Sequence, residues 1–238
     1  MITVKNKKDR GLTEISWLKS YHSFSFGHYY DPKNMGFGPL RVINEDWVEP
    51  GTGFDTHGHK NMEIITYILD GALSHKDSTG GTDTIRPGEV QVMSAGSGIM
   101  HSEFNGSDTE PVHLLQIWIM PEAVNTAPGY RQKLFVSDEM KNRFRLLVSH
   151  DGADGSLPIK QDAKLFAARF DAGAAERVVL ESKRKYWLQI ARGSVVVSHD
   201  GADEKLAAGD ALAAGEEQGA LDIKAVDDAE VLLFDLPD

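Results

Sequence analysis

Turn signals cut this chain at short intervals, and that punctuation limits it to a fold of short strands. Pro50-Gly51, Asp70-Gly71, Gly80-Gly81, Pro87-Gly88, Asp151-Gly152, Asp200-Gly201 and Gly209-Asp210 each bring a residue pair that favours turns. Between them lie β-prone runs at Met62–Leu69, Glu89–Met93, Val112–Met120, Tyr186–Ala191, Ser194–Ser198 and Glu230–Leu236. Long helical periodicity is scarce. Ser137–Leu147 predicts one short helix with Ser137 as its N-cap. Regular short strands with turns of this kind predict an all-β sandwich or barrel. The pattern also repeats. Gly71, Gly88 and Gly96 are spaced by 17 and 8 residues, and Gly193, Gly209 and Gly215 by 16 and 6. Each copy reads as strand, turn, strand, longer turn, strand, turn, which predicts two similar β domains. Pro121–Tyr130, with Pro121, Pro128 and Gly129, reads as the linker, giving domains 1–130 and 131–238.

Charge divides the same way. The 238 residues carry 25 Lys+Arg and 36 Asp+Glu, a net charge of −11. Residues 200–238 hold 12 acidic and 2 basic residues, so −10 of that total lies there and residues 1–199 are close to neutral. Overall acidity argues against direct nucleic-acid binding through phosphates. The acidic stretch suits a protein partner or simple solubility. No apolar run reaches the roughly 20 residues that cross a bilayer, and the N-terminus lacks an apolar secretory core. The expectation is a cytoplasmic, monomeric protein with no membrane partner. The absence of cysteine excludes thiol catalysis, iron–sulfur clusters and cysteine-based zinc sites.

Seven of nine histidines lie in the first 113 residues, so chemistry is sought there. His57-Gly58-His59 places two imidazoles on one face of a strand, because residues i and i+2 point the same way. His101-Ser102-Glu103 repeats the geometry with an imidazole and a carboxylate. Two such strands side by side predict a site of His57, His59, His101 and Glu103. Three neutral imidazoles and one carboxylate suit a divalent metal ion with open positions. Fe(II) is the first choice, with Mn, Ni, Co or Cu as alternatives. Zn also binds such donors, although four of them tend to close its tetrahedral shell.

The stretch from Ser23 to Asn105 resembles the pirin family of the cupin superfamily. The matching residues include Ser23-Phe24-Ser25-Phe26, Tyr30-Asp31-Pro32, Met35-Gly36-Phe37-Gly38-Pro39-Leu40-Arg41-Val42, His57-x-His59, Met62-Glu63-Ile64, Gly71, His75, Asp77-Ser78, Gly88, Gln91, Ser94-Ala95-Gly96-x-Gly98-Ile99 and His101-Ser102-Glu103-x-Asn105. The resemblance continues through Gln116-Ile117-Trp118-Ile119, is looser in the second half, and returns at Leu232–Pro237. It implies a bicupin: a metal-binding domain over 1–130, with His57, His59, His101 and Glu103 as ligands, and a degenerate cupin domain over 131–238. It also implies quercetin 2,3-dioxygenase activity on a small aromatic flavonol with O2, or a metal-responsive regulator that binds a protein partner. Glu103 and Glu63 are the candidate catalytic carboxylates. In a regular strand Glu63 would share a face with His57 and His59, and it could hydrogen-bond a ligand, serve as base, or replace a ligand.

The second copy offers no matching set. Counting from its glycines lands on Val179 and Glu181, then on Ala220 and Asp222, and no histidine lies between Asp151 and Gln189. Of the other histidines, His75 reads as pocket mouth or surface, His113 as core or rim, and His22 and His28 as packing among aromatics. His150 and His199 read as exposed beside Asp-Gly turns. The cluster Phe24, Phe26, Tyr29, Tyr30 and Phe37 reads as core and entrance packing.

Overall fold

A computed structural model describes all 238 residues. The fold is all-β. Its strands are β1 (Ile2–Lys5), β2 (Gly11–Glu14), β3 (Leu18–His22), β4 (Leu40–Val48), β5 (Gly53–His59), β6 (Glu63–Asp70), β7 (Leu73–Asp77), β8 (Thr82–Ile85), β9 (Glu89–Ser94), β10 (Ile99–Asn105) and β11 (Val112–Ile119). They continue with β12 (Gly129–Leu134), β13 (Arg145–Ser149), β14 (Leu157–Pro158), β15 (Lys164–Phe170), β16 (Ala175–Leu180), β17 (Arg184–Arg192), β18 (Ser194–His199), β19 (Ala202–Ala207), β20 (Ala211–Gly215), β21 (Gly219–Ala225) and β22 (Ala229–Pro237). The predicted helix over 137–147 shrinks to α1 (Ser137–Met140), with Val136 rather than Ser137 at its N-cap and no side-chain cap bond. The apolar run Arg145–Ser149 that follows is buried as β13 instead.

Two compact units result. The first takes Arg10–Phe135 and Leu157–Gln161, the second Met1–Asp9, Val136–Ser156 and Asp162–Asp238. The division therefore does not fall at residue 130. β12 pairs antiparallel with β9, from Gly129↔Ser94 to Leu134↔Glu89, so the supposed linker ends in a strand of the first unit. At the other end of the chain, β1 pairs with β20 and belongs to the second unit.

The duplication is plain in the sheets. In the first unit the strands run β12-β9-β6-β11-β4-β3-β2 in one sheet and β5-β10-β7-β8 in the other. In the second, β20-β17-β22-β15-β13 repeats the order β9-β6-β11-β4-β3, and β16-β21-β18-β19 repeats the small sheet. Gly71 and Gly193 turn the matching hairpins at φ 79° and 68°, a conformation that suits glycine. Both copies also carry a register shift at the same place, between His113 and Leu114 opposite β6 and between Ile190 and Arg192 opposite β22.

That shift aligns the two interiors residue by residue. In the first unit, successive cross-strand partners at one level are His22, Asn44, Gln116, Thr66 and Gln91. All five are buried. Directly opposed residues face the same side of a sheet, so they form a polar belt across five strands. The same level of the second unit reads Leu146, Phe166, Leu233, Leu188 and Leu212. Its leucines Leu188, Leu212 and Leu233 lie in one continuous apolar core. One unit has a wet interior wall; its repeat is filled.

The small sheet of the first unit depends on one glycine. A Cβ on Gly53 would stand 2.3 Å from the Glu103 carbonyl oxygen and 2.5 Å from Phe104 Cα, both backbone atoms of the paired strand. Gly53→Ala is expected to lower stability by about 2 kcal/mol through this overpacking, read as a reduced thermal midpoint by circular dichroism.

Candidate metal centre

β10 alternates strictly. Ile99, His101, Glu103 and Asn105 are buried while Met100 and Phe104 are exposed. An inward face carrying imidazole and carboxylate in place of aliphatic groups demands partners. β5 supplies one, since His101 pairs directly with His57. Two residues on, the register slips, and Glu103 pairs with Phe54. The extra residue is a bulge in β5, and it frees the Asp55 carbonyl to accept a hydrogen bond from His57 Nδ1 at 2.8 Å. That bond puts the proton on Nδ1 and leaves Nε2 with a bare lone pair.

His57, His59 and His101 converge with ring centroids 4.4–4.9 Å apart. His57 Nε2 and His101 Nε2 lie 3.1 Å apart, and His101 Nδ1 is buried without a partner. Two facing lone pairs repel unless a proton or a cation stands between them. Nitrogens bonded at right angles to a metal at about 2.1 Å lie about 3 Å apart. The donor set therefore fits a divalent ion. In the second unit the pairing Val179↔Ala220 stands where His57↔His101 stands in the first, so the two facing imidazoles have no counterpart there.

Glu103 is 2% exposed. Gln116 Nε2 donates to its Oε2 at 3.0 Å, and Gln91 Nε2 stands 3.4 Å from its Oε1. Burial pushes the carboxyl up, but His75 and His101, together with the Gln91 amide, outweigh it and hold Glu103 below its usual value. The four expected ligands do not form one tight group. They fall into two overlapping triads, His57–His59–His101 and His75–His101–Glu103, that share His101. His75 is thus neither mouth nor surface. It is buried, stacked on Tyr130, and donates from Nε2 to Asp77 Oδ2 at 2.9 Å, with Nδ1 4.0 Å from Glu103. Asp77 Oδ1 in turn accepts from Thr79 and Gly81.

Glu63 does not share a face with His57 and His59. Asn61 turns the chain at φ 52°, so Glu63 opens β6 in the other sheet. Its Oε2 accepts from Ser94 Oγ at 2.6 Å. Burial raises its pKa.

A cavity of about 500 Å3 reaches the histidine triad and Glu103. Trp17, Leu18, Phe26, Phe54, Ile64 and Trp118 give it apolar walls, while Thr13, Ser20, His22, Asn44, Asp46 and Gln116 add polar groups. His28 also borders it, and His22, read as packing, belongs to the polar wall. His113 stacks on Trp47 and meets Glu45 at 3.1 Å, on the face of β4 opposite the cavity-lining Asn44 and Asp46. His199 is not freely exposed; its Nδ1 donates to the Ala220 carbonyl at 3.0 Å. Asp46, Asn44, Gln91 and Gln116 were not singled out as site residues. For Gln91 and Gln116 the readable signal was a carboxamide interrupting an otherwise apolar run.

Comparison with known proteins places these features. The Pirin family model matches residues 4–119, and a model described as the quercetinase C-terminal cupin domain matches 146–236. A quercetin 2,3-dioxygenase of Escherichia coli strain K12 is 46% identical over 239 residues, covering 100% of this chain and 99% of that protein. A pirin-like protein of Caulobacter vibrioides is 41% identical, covering 99% of each. The crystal structure of the E. coli bacterial pirin YhhW in complex with nickel(II) superposes with a TM-score of 0.92 at 44% identity, covering 100% and 99%.

Burial, reinforced by the neighbouring His57, lowers His59 to about 4. His101 also falls to about 4, mainly through burial, although Glu103 opposes this. Their folded values lie below the unfolded 6.5. Each therefore contributes stability that is present above about pH 6.5 and lost as pH falls towards 4. In metal-free protein, NMR titration should find both rings neutral down to about pH 5. Gln116→Leu removes the shorter donor to Glu103 and should weaken metal affinity about 10–100-fold, measured by competition with a chelator.

Proposed function

The chain belongs to the pirin family, and within it we propose a metal-dependent dioxygenase that opens flavonol-type aromatic substrates, as in quercetin 2,3-dioxygenation. One observation carries the reading: three imidazoles and a buried carboxylate converge on an aromatic-walled cavity large enough for a small polycyclic ligand. Relatives named quercetin 2,3-dioxygenase and the nickel-bound pirin structure support it.

His57, His59, His101 and Glu103 would hold the ion. When bound, the metal would act as a Lewis acid toward the enolic oxygen of the substrate and lower its pKa. The protein does the rest by placement. The Asp55 carbonyl fixes the tautomer of His57, so that Nε2 keeps its lone pair. Depressed pKa values keep His59 and His101 neutral at working pH. Glu103, oriented by Gln116 and Gln91, is the carboxylate at the site able to take the enolic proton. Glu63 has no such position; bound to Ser94, it supports the wall of the sandwich. Trp118 packs edge-on to His59 at 4.9 Å, and together with Phe54 and Trp17 it offers aromatic faces to a flat substrate. The electron-rich substrate reacts with O2, the heterocycle opens, and carbon monoxide leaves. Fe(II) remains our first assignment for the ion, since imidazole and carboxylate donors with open positions suit it.

Protein reconstituted with Fe(II) or Ni(II) should consume O2 and release carbon monoxide with quercetin. His59→Ala should lower that turnover at least 100-fold, followed with an oxygen electrode and by gas chromatography. Turnover retained in His59→Ala would overturn the assignment.

A further inference from the structure

The mechanism leaves one buried acidic group unused. Asp46 lies on the inward face of β4, 3% exposed, and borders the same cavity as the histidine triad but from the other sheet. Its strand neighbours do not saturate it. Ser20, its directly paired residue on β3, donates its hydroxyl to Oδ1, and Leu114 lies opposite on β11. Oδ2 accepts no hydrogen bond from the protein. The adjoining polar groups are occupied with one another: Thr13 Oγ1 meets His22 Nε2 at 2.9 Å, and His22 Nδ1 donates to Asn44 Oδ1 at 2.8 Å. The unpaired oxygen is not sealed in the packed interior, and its residue borders the cavity. Such a group aimed into a cavity is accounted for when a ligand completes it.

We propose that Asp46 is a specificity-determining residue, pairing with a phenolic hydroxyl on the pendant ring of the aromatic substrate, a group additional to the oxygen directed to the metal site. The inference rests on the cavity taking an aromatic substrate. It adds that the protein reads a hydroxyl on the pendant ring. A neutral hydroxyl suits the position better than an amine. Burial pushes the Asp46 carboxyl up to about 7, against the Ser20 hydrogen bond, and the nearby Glu103 and Glu45 charges add to the rise. A carboxyl that is partly protonated at neutral pH can donate to or accept from a phenol, whereas an ammonium would need it ionised. A hydrogen bond formed only by the hydroxylated ligand gives roughly tenfold discrimination.

The test is calorimetric titration of the metal-loaded protein without oxygen, using quercetin and galangin, which share the flavonol core but differ in hydroxyls on the pendant ring. The native protein should bind quercetin about tenfold tighter. Asp46→Ala should bring the two affinities within about twofold while galangin binding stays unchanged. Asp46→Leu, which keeps side-chain volume, should do the same if Asp46→Ala does not fold. A preference that survives both substitutions overturns the role of Asp46, whether or not quercetin is turned over. A lost preference in a protein that binds quercetin but never consumes O2 overturns the dioxygenase reading and upholds Asp46. Failure of either flavonol to bind the native protein overturns both.

Discussion

Glu103 keeps an almost fully buried carboxylate at the foot of the cavity, and the interior of the first unit is arranged around that fact. Two carboxamides hold it, Gln91 from β9 and Gln116 from β11, and Thr66 stands between those strands within 3.4 Å of both amides. These are three members of the five-strand polar belt; the other two, Asn44 and His22, carry the polarity on to the cavity. A buried charge needs donors of fixed geometry, and paired strands provide them at a fixed spacing. The belt is therefore the scaffold of the site. Replacing its counterpart by Leu146, Phe166, Leu233, Leu188 and Leu212 makes the second unit a conventional apolar sandwich.

The acidity of residues 200–238 looks different once folded. Asp235 pairs with Arg184, Glu230 with Arg169 and Arg192, Asp222 with Arg177, and Asp238 with Lys185. The partners come mostly from earlier strands of the same unit. Sequence order separated charges that the sheets bring together, so the stretch is less strongly acidic than its composition. No helix is long and apolar enough to cross a membrane.

The candidate pairs were legible because two-residue periodicity on a strand is a local property: His57-x-His59 and His101-x-Glu103 each read as presenting one face. The duplicated all-β architecture was legible from glycine spacing for the same reason. What supports those pairs was not. Gln91, Gln116 and Asp46 meet the site only through strand pairing, and register across strands distant in sequence leaves no mark in either strand alone. Glu63 misled because a regular strand was continued through Asn61, where the chain turns into another sheet. The boundary at residue 130 misled because both units close a sheet with a segment from outside their central run, β12 in one and β1 in the other.

That last exchange has a consequence for biosynthesis. Ile2–Lys5 are made long before their only strand partner, β20, with Ile2 opposite Ala214. β1 must wait, unpaired, until Ala211–Gly215 have been made, and the edge it covers closes only then. The two sheets of the first unit use only β2 to β12, which are contiguous in the chain, and Leu157–Gln161 join that unit later. Order in the chain thus orders assembly, with the sheets of the first unit able to form before the second unit can recruit β1.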